Sequence, residues 1–292
     1  MQRRSFLTSL AVAAAASRLG GCVTRPAAVG SAAATGTRRL KRVGIQLYTL
    51  RDDAAKQGVE QTLANIAAAG YKDVELLSSM SNFGVPPAQL RAILDRNGLR
   101  APSTHVGSAA FDNLNAVFDE AGTLGHQYIV LASLPYEPGK ATLDDYRRWA
   151  DRLNEAGRQA RARNLWIAFH DEAYDFPLID GQVPYDLLAD RTDPAVVRLQ
   201  LDTGNAAMGG RDPRDLMRKY GSRYYLFHIK DAPRLGASTD AELGKGVIDF
   251  RRLLASIDDI DNKFLYVEQE TYPGTPLDSV KRDFAYISTL EF

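Results

Sequence analysis

The chain has 292 residues, 45% of them hydrophobic, which is enough for one large domain or two small ones with a sizeable core. Its 36 Lys and Arg residues balance 36 Asp and Glu residues, so the formal net charge is zero. A neutral chain has no basic field to hold a polyanion, which argues against nucleic-acid binding as the main role.

The first 40 residues have the pattern of a targeting segment and a tether. Arg3-Arg4 precede an Ala-rich apolar run to Ala16, as in a twin-arginine export signal. Leu19-Gly-Gly-Cys22 resembles a bacterial lipobox, and Cys22 is the single cysteine of the chain, which excludes an internal disulfide. We predict an export signal over 1–21, a flexible tether over 22–40, and a periplasmic lipoprotein anchored to the membrane through Cys22. The alternative is an ordinary cleaved signal with an incidental cysteine.

From residue 41 to residue 292, strand and helix patterns alternate eight times. The strands are short apolar or alternating runs, and several helices have a proline in their first turn or a glycine after their last. Asp112 is the predicted N-cap of the third helix. The predicted strand and helix pairs are 43–48 and 57–69, 73–77 and 86–97, 99–105 and 112–124, 127–132 and 142–163, 165–170 and 185–190, 196–202 and 213–220, 224–229 and 250–256, and 264–268 and 277–290.

Eight such units with no second composition zone predict a single (β/α)8 TIM barrel over residues 41–292. An open doubly wound sheet is the alternative fold. Such a sheet more often has a glycine-rich phosphate turn after its first strand, whereas Thr-Leu-Arg-Asp-Asp follows Tyr48 here.

Four residues that can bind a metal stand at the ends of the last four predicted strands: His170, Asp202, His228 and Glu268. Each has a structural alternative, such as a turn cap, a core histidine or a buried salt bridge. The carboxyl ends of parallel strands lie side by side, so these side chains can converge on one cation. Two carboxylates and two imidazoles suit one divalent ion, and we expect Mn²⁺, with Mg²⁺, Co²⁺ or Zn²⁺ as alternatives.

Further polar residues are predicted near this position. Residues two apart on a strand share a face, which places Glu172, Lys230 and Glu270 toward the barrel mouth. Glu75 and His105 stand at the ends of the second and third strands. Lys230 could stabilise negative charge that develops on a ketone. The alternative for both Lys230 and Glu75 is a structural ion pair.

Residues 42–290 resemble the sugar phosphate isomerase/epimerase family, whose members have a xylose-isomerase-like barrel. The resemblance implies one divalent metal, usually Mn²⁺, held by Glu, Asp, His and Glu from strands five to eight. Asp202, His228 and Glu268 match three of these positions. At the first, His170 is the expected ligand and Glu172 the fallback, so a second acid or base must come from elsewhere. The resemblance rests on Gly44-Ile-Gln-Leu-Tyr-Thr-Leu-Arg51, Leu201-Asp-Thr-Gly-Asn205, His228-Ile-Lys-Asp231, Glu242-Leu-Gly-Lys-Gly-Val-Ile-Asp-Phe250 and Val267-Glu-Gln-Glu270.

We therefore expect a metal-dependent sugar isomerase or epimerase that removes a proton next to a carbonyl and forms an enediolate. Glu268 or Glu270 is the expected base, and His105, Glu172 or Glu75 would return the proton. The expected substrate-binding residues are Gln46, Tyr48, Glu75 and Lys230.

Three other functions remain open. They are β-elimination by a lyase or hydrolase-type reaction on a 3-keto-glycoside, carbohydrate binding without turnover, and metal-dependent hydrolysis of a phosphate ester. A DNA-repair role like that of endonuclease IV is disfavoured, because Asn205 replaces a histidine and the chain has only four histidines. The expected partner is a small sugar or keto-glycoside, and the chain could form a homo-oligomer.

Overall fold

Eight parallel strands form the centre of the protein. In the computed structural model, which describes residues 37–292, each strand pairs with the next one along the chain and the first closes on the last. This arrangement is a single (β/α)8 barrel, which confirms the predicted fold. The strands are β1 (Gly44–Gln46), β2 (Asp73–Leu77), β3 (Arg100–Val106), β4 (Tyr128–Leu131), β5 (Trp166–His170), β6 (Val197–Asp202), β7 (Tyr224–Ile229) and β8 (Phe264–Val267).

The helices return the chain between successive strands. Most begin at a residue that caps them, such as Thr142, which forms a reciprocal capping box with Asp145. The helices are α1 (Arg51–Gln57), α2 (Val59–Ala69), α3 (Pro87–Arg96), α4 (Leu114–Leu124), α5 (Leu143–Arg161), α6 (Pro184–Arg191), α7 (Thr203–Met208), α8 (Pro213–Tyr220), α9 (Phe250–Ala255) and α10 (Pro276–Thr289).

Three predictions about helices need correction. The first helical region is two helices, because Gly58 has φ of +91° and separates α1 from α2. Asp112 is not the N-cap of α4, because Asn113 occupies that position and its side chain accepts from the Ala116 amide. The short helix α7 was not predicted, and it begins directly after Asp202, whose side chain caps it.

The interior of the barrel changes from apolar to polar along the strands. Toward the amino-terminal ends, one cluster of buried side chains fills the barrel: Tyr128, Val130, Ala168, Leu226 and Tyr266. A larger, separate core packs the strands against the helices. Toward the carboxyl ends, the buried interior side chains are polar, which is the side of a TIM barrel where active sites lie. These residues are Gln46, Glu75, Ser103, Gln200, His105, His170, Asp202, His228 and Glu268.

The two ends of the described chain meet. The Arg38 amide donates to the Phe292 carbonyl and the Phe292 amide donates to the Arg38 carbonyl, both at 2.9 Å. Residues 38–40, which we predicted as the end of the tether, are therefore attached to the barrel. The predicted export signal and Cys22 lie outside the described residues. Within residues 37–292, no helix has both the length and the apolar character needed to cross a bilayer.

Candidate metal centre at the barrel mouth

The four candidate ligands His170, Asp202, His228 and Glu268 converge on one point. One donor atom from each lies within 4.8 Å of the others, and all four side chains are buried. The parallel register explains this convergence, since Asp202 pairs with His228 across β6 and β7. Glu268 follows β8, where its amide donates to the Ile229 carbonyl at 3.2 Å. The structure thus brings together residues that are up to 98 positions apart in the sequence.

Both histidines are oriented by hydrogen bonds on the far side of their rings. His170 Nδ1 lies 2.9 Å from the Ala132 carbonyl oxygen, so it donates there and turns Nε2 toward the cluster. His170 Nε2 lies 3.2 Å from His228 Nδ1 and 3.7 Å from Asp202 Oδ2. His228 Nδ1 lies 2.9 Å from Glu268 Oε2. A second partner that fixes ring orientation in this way is typical of metal-binding histidines.

Asp202 provides a direct test of whether these residues fit a cation. Its Oδ1 atom accepts from the Asn205 amide at 2.8 Å and caps α7. Its Oδ2 atom is buried and has no hydrogen-bond partner among the described residues. The nearest cation to Oδ2 is the Lys230 ammonium, which lies 3.6 Å away and beyond hydrogen-bond distance. A buried carboxylate oxygen with no direct partner is costly unless it binds a cation or a proton. The donor set therefore fits a divalent ion, with two oxygen and two nitrogen ligands.

Glu75 lies beneath His228 and receives hydrogen bonds from several donors. Its Oε2 atom lies 2.5 Å from His228 Nε2, and Ser103 and Gln200 also donate to the carboxylate. Burial raises the pKa of Glu75, but the neighbouring His105 and His228 and these hydrogen bonds outweigh it and lower the pKa to about 2. We expected Glu75 to bind substrate. The structure places it fully buried, in contact with a candidate ligand.

His105 and Gln46 also lie in this lower layer. His105 Nε2 is 2.8 Å from Gln200 Oε1 and 3.2 Å from Glu75 Oε2, and burial lowers the pKa of His105 to about 4. Gln46 donates to Glu75 at 2.8 Å and accepts from the Tyr48 amide. The ring of Tyr48 lies against the guanidinium of Arg51. Tyr48 and Arg51 are partly exposed, whereas Gln46 and His105 are buried.

Lys230 lies at the upper edge of the cluster with its side chain buried. Its ammonium nitrogen is 3.6 Å from Asp202 Oδ2, 3.5 Å from Glu268 Oε2 and 2.5 Å from Glu270 Oε1. Burial lowers the pKa of Lys230, but these three carboxylates outweigh it and hold the pKa well above its usual value. Lys230 is therefore charged and shared among three acids.

Glu172 lies beside the four-donor cluster but is not part of it. Its Oε2 atom accepts from Asn205 Nδ2 at 3.4 Å, and Asn205 Oδ1 in turn accepts from the Lys230 ammonium at 3.3 Å. Burial raises the pKa of Glu172 to about 7. At the first ligand position, the geometry therefore favours His170 over Glu172.

The loop over residues 232–249 holds the backbone of Glu270 in place. Asp231 accepts hydrogen bonds from four amides of this segment, those of Ala232, Gly244, Gly246 and Ile248. Farther along the loop, Asp240 accepts from the amides of Glu270 and Thr271. The loop thus connects the end of β7 to the segment after β8 that contains Glu270.

Sequence reasoning missed Ser103, Gln200 and Asn205. Ser103 and Gln200 precede His105 and Asp202 by two positions, so strand alternation could have placed them one layer deeper. Asn205 was noted only as a replacement for a histidine. The capping pattern Asp202-Thr-Gly-Asn205 was the available signal for α7.

Fold and site together define a class of protein, a TIM barrel with a candidate metal centre of mixed oxygen and nitrogen ligands at its mouth. The family model of xylose isomerase-like TIM barrels matches residues 63–290, so the chain belongs to this family. This result confirms the resemblance noted in the sequence.

Among characterised relatives, the chain is 25% identical over 273 residues to an inosose dehydratase of Geobacillus kaustophilus, covering 79% of this chain and 87% of that one. It is 27% identical over 169 residues to an inosose dehydratase of Clostridium tetani, covering 52% of each chain. Among solved structures, a sugar phosphate isomerase/epimerase of Parabacteroides distasonis superposes with a TM-score of 0.73 at 23% identity, covering 84% of this chain and 96% of that one. The IolI protein, solved with bound zinc, superposes with a TM-score of 0.65 at 16% identity, covering 85% and 98%. The chain is therefore similar to enzymes that act on sugars and related polyols.

Proposed function

We propose that this protein is a metal-dependent lyase that removes water from a cyclic keto-polyol of the inosose class. The observation that carries the proposal is a buried lysine ammonium between the candidate metal ligands Asp202 and Glu268 and the further carboxylate of Glu270. Such a site combines a cation centre, a fixed positive charge and a nearby base. The dehydratases among the relatives support elimination as the reaction.

His170, Asp202, His228 and Glu268 would hold the divalent cation, and we propose Mn²⁺ as the resident ion. When bound, such a cation supplies Lewis acidity that makes a proton next to a carbonyl easier to remove. Below it, Glu75 keeps the His228 ring in place through Nε2, so that Nδ1 faces the cluster.

Two carboxylates supply the proton transfers. Glu270, at the outer end of the cluster, takes the proton from the carbon next to the ketone, and the Lys230 ammonium stabilises the negative charge left on oxygen. The bond to the hydroxyl on the next carbon then breaks. Glu172, in its protonated form, gives that hydroxyl a proton, and one water leaves with an enone as the organic product. Asn205 connects the proposed proton donor to the ammonium, since its side chain contacts both Glu172 and Lys230.

The charges at the mouth favour an uncharged substrate. The single Lys230 charge is already shared by Asp202, Glu268 and Glu270. A phosphate group would lose hydration in this site, and further cations would be needed to compensate for that loss. Repulsion from Glu172 and Glu270 would weaken phosphate binding further. We therefore propose a neutral keto-polyol as substrate rather than a sugar phosphate.

Epimerisation or isomerisation is the second candidate. It begins with the same proton removal, and Glu172 in its protonated form would give its proton to the substrate carbon instead of to a leaving hydroxyl. The Parabacteroides distasonis structure, described as a sugar phosphate isomerase/epimerase, has the same fold. The two reactions differ in whether the product has lost a water.

The test is incubation of the Mn²⁺-loaded protein with an inosose in deuterium oxide, with a 3-keto-glycoside in parallel. We expect deuterium at the carbon next to the ketone in recovered substrate, and a product that has lost one water and absorbs as an enone. Glu270→Gln should remove exchange while Mn²⁺ affinity stays close to wild type. A product that has gained deuterium but lost no water would select the epimerase. Neither exchange nor loss of water with either compound would refute both reactions on these substrates.

We also propose twin-arginine export and lipid anchoring through Cys22, from the sequence pattern alone. Mass spectrometry of the mature amino terminus from cells tests this proposal. A diacylglycerol-modified Cys22 is the expected result, and an unmodified terminus at another residue would contradict it. Assembly into a homo-oligomer is a separate proposal that sedimentation would test.

A further inference from the structure

Lys230 is held in its buried position by the short segment that follows Asp202. Thr203 fixes its backbone from both sides: Oγ1 accepts from the Lys230 amide at 3.1 Å and lies 2.6 Å from the Lys230 carbonyl oxygen, to which it donates. Asn205 Oδ1 accepts from the ammonium at 3.3 Å. A buried charge needs such partners, because its loss of hydration is otherwise uncompensated.

Gly204 makes room for the aliphatic part of the same side chain. A methyl group at position 204 would lie 2.5 Å from Lys230 Cγ and 2.9 Å from both Cβ and Cδ. These atoms are near the backbone end of the side chain, so they cannot move aside without moving the ammonium. Lys230 can therefore adopt this side-chain conformation only because residue 204 has no Cβ atom.

We propose that Thr203, Gly204 and Asn205 form a cradle that positions the Lys230 ammonium against the carboxylates of Asp202 and Glu268. The position of the ammonium rests on these contacts alone. Its role, facing the substrate oxygen on which negative charge develops, rests on the function proposed above. The three cradle residues are positioning residues, since they act on the reaction through Lys230.

The cradle has a consequence for metal binding that does not depend on any reaction. The ammonium lies 3.5 to 3.6 Å from oxygens of two candidate ligands, where it repels a divalent cation. At such short range, and buried, like charges interact strongly. We expect Lys230→Met, which keeps an unbranched side chain, to bind Mn²⁺ at least about tenfold more tightly than wild type.

A double-mutant cycle in the full-length protein tests the steric part. Gly204→Ala and Lys230→Ala are made singly and together, and unfolding midpoints in denaturant are compared. Gly204→Ala should destabilise the wild type, and most of this loss should disappear on the Lys230→Ala background, where Cγ and Cδ are absent. Gly122→Ala in α4 is the matched control: a Cβ there meets no atom within 4 Å, so the higher helix propensity of alanine should leave stability unchanged or raised.

Additive effects in the cycle would overturn the cradle, as would a Lys230→Met protein whose Mn²⁺ affinity stays within twofold of wild type. If Gly204→Ala does not fold, recovery of folding by Lys230→Ala supports the contact, and no recovery refutes it. The proposed reaction has a separate readout. If the wild-type protein exchanges no substrate proton, the proposed reaction is refuted. The double-mutant cycle and the Mn²⁺ titration then still test whether the cradle positions Lys230.

Discussion

Replacing Glu75 with glutamine should weaken metal binding without removing a ligand. In the wild type, Glu75 Oε2 lies 2.5 Å from His228 Nε2 and 2.8 Å from Gln46 Nε2, and Oε1 lies 2.7 Å from Ser103 Oγ. All of these partners donate. A glutamine at this position turns one acceptor into a donor and removes the negative charge that polarises the His228 ring.

The expected size follows from these contacts. Loss of a hydrogen-bonded partner behind a metal-binding histidine typically weakens metal affinity by about 10- to 100-fold. That range corresponds to about 1.4 to 2.8 kcal/mol of binding free energy. One buried donor left without an acceptor should also lower the free energy of unfolding by about 1–3 kcal/mol.

Competition of the metal-free protein with a chromophoric chelator measures the affinity, for Mn²⁺ and Zn²⁺ separately. Ser103→Ala is the matched control. It removes one hydrogen bond to Glu75 but leaves the carboxylate beside His228, so metal affinity should stay within about threefold, because the charge that acts on the ring is retained. A folded Glu75→Gln protein with wild-type affinity for both metals would refute our account of how His228 is oriented.

Three further predictions concern the ligand set, metal removal and pH. His170→Gln should reduce Mn²⁺ affinity by more than about tenfold. The affinity of Glu172→Gln should stay within about threefold of wild type, because Glu172 lies outside the donor cluster. The reverse order in the chelator assay would identify Glu172 as the ligand. Chelation should lower the unfolding temperature and added metal restore it, by an amount that grows with the logarithm of free metal; a metal-independent melting curve would contradict a centre in the folded protein. Burial raises the pKa of Asp283 from 3.8 to about 7, and the nearby Glu242 adds to the rise. The folded state therefore holds the proton more tightly than the unfolded state, and stability falls as pH rises from about 4 to about 7, by at most about 4 kcal/mol. Asp283→Asn should flatten this part of the stability curve and exceed wild-type stability above pH 7, as urea unfolding at several pH values would show; equal slopes for both proteins would contradict the assigned pKa.

The sequence was sufficient to predict the barrel because most strands are short apolar or alternating runs that are separated by helical patterns. Strand Asp73–Leu77, strand Tyr224–Ile229 and helix Pro213–Tyr220 coincide with their predicted bounds. Helix α7 was missed because its sequence, Thr-Gly-Asn-Ala-Ala-Met, has a glycine in its first turn and no amphipathic periodicity. Capping and metal binding were treated as alternatives for Asp202, whereas one of its oxygens caps the helix and the other faces the cluster.

The candidate site was only partly predictable for a related reason. Alternation along a strand gives the face of a residue but not its depth in the barrel. Glu75 and His105 were placed on the correct strands, yet both belong to the layer under His228, where they contact Gln200 from the opposite wall. Depth depends on the stagger of neighbouring strands, and the structure shows register shifts between β2 and β3 and between β6 and β7.

The reciprocal hydrogen bonds between Arg38 and Phe292 determine which side of the barrel faces a surface or a fusion partner to which the protein is attached. They hold Arg38 and Phe292 together, on the side of the barrel where the strands begin and opposite the candidate metal centre at the carboxyl ends of the strands. A bead, a display scaffold or a fused partner joined at residue 37 or residue 292 would therefore lie at that base and leave the barrel mouth facing solvent. The same proximity makes a circular permutant, with residues 37 and 292 joined by a short linker, a practical construction.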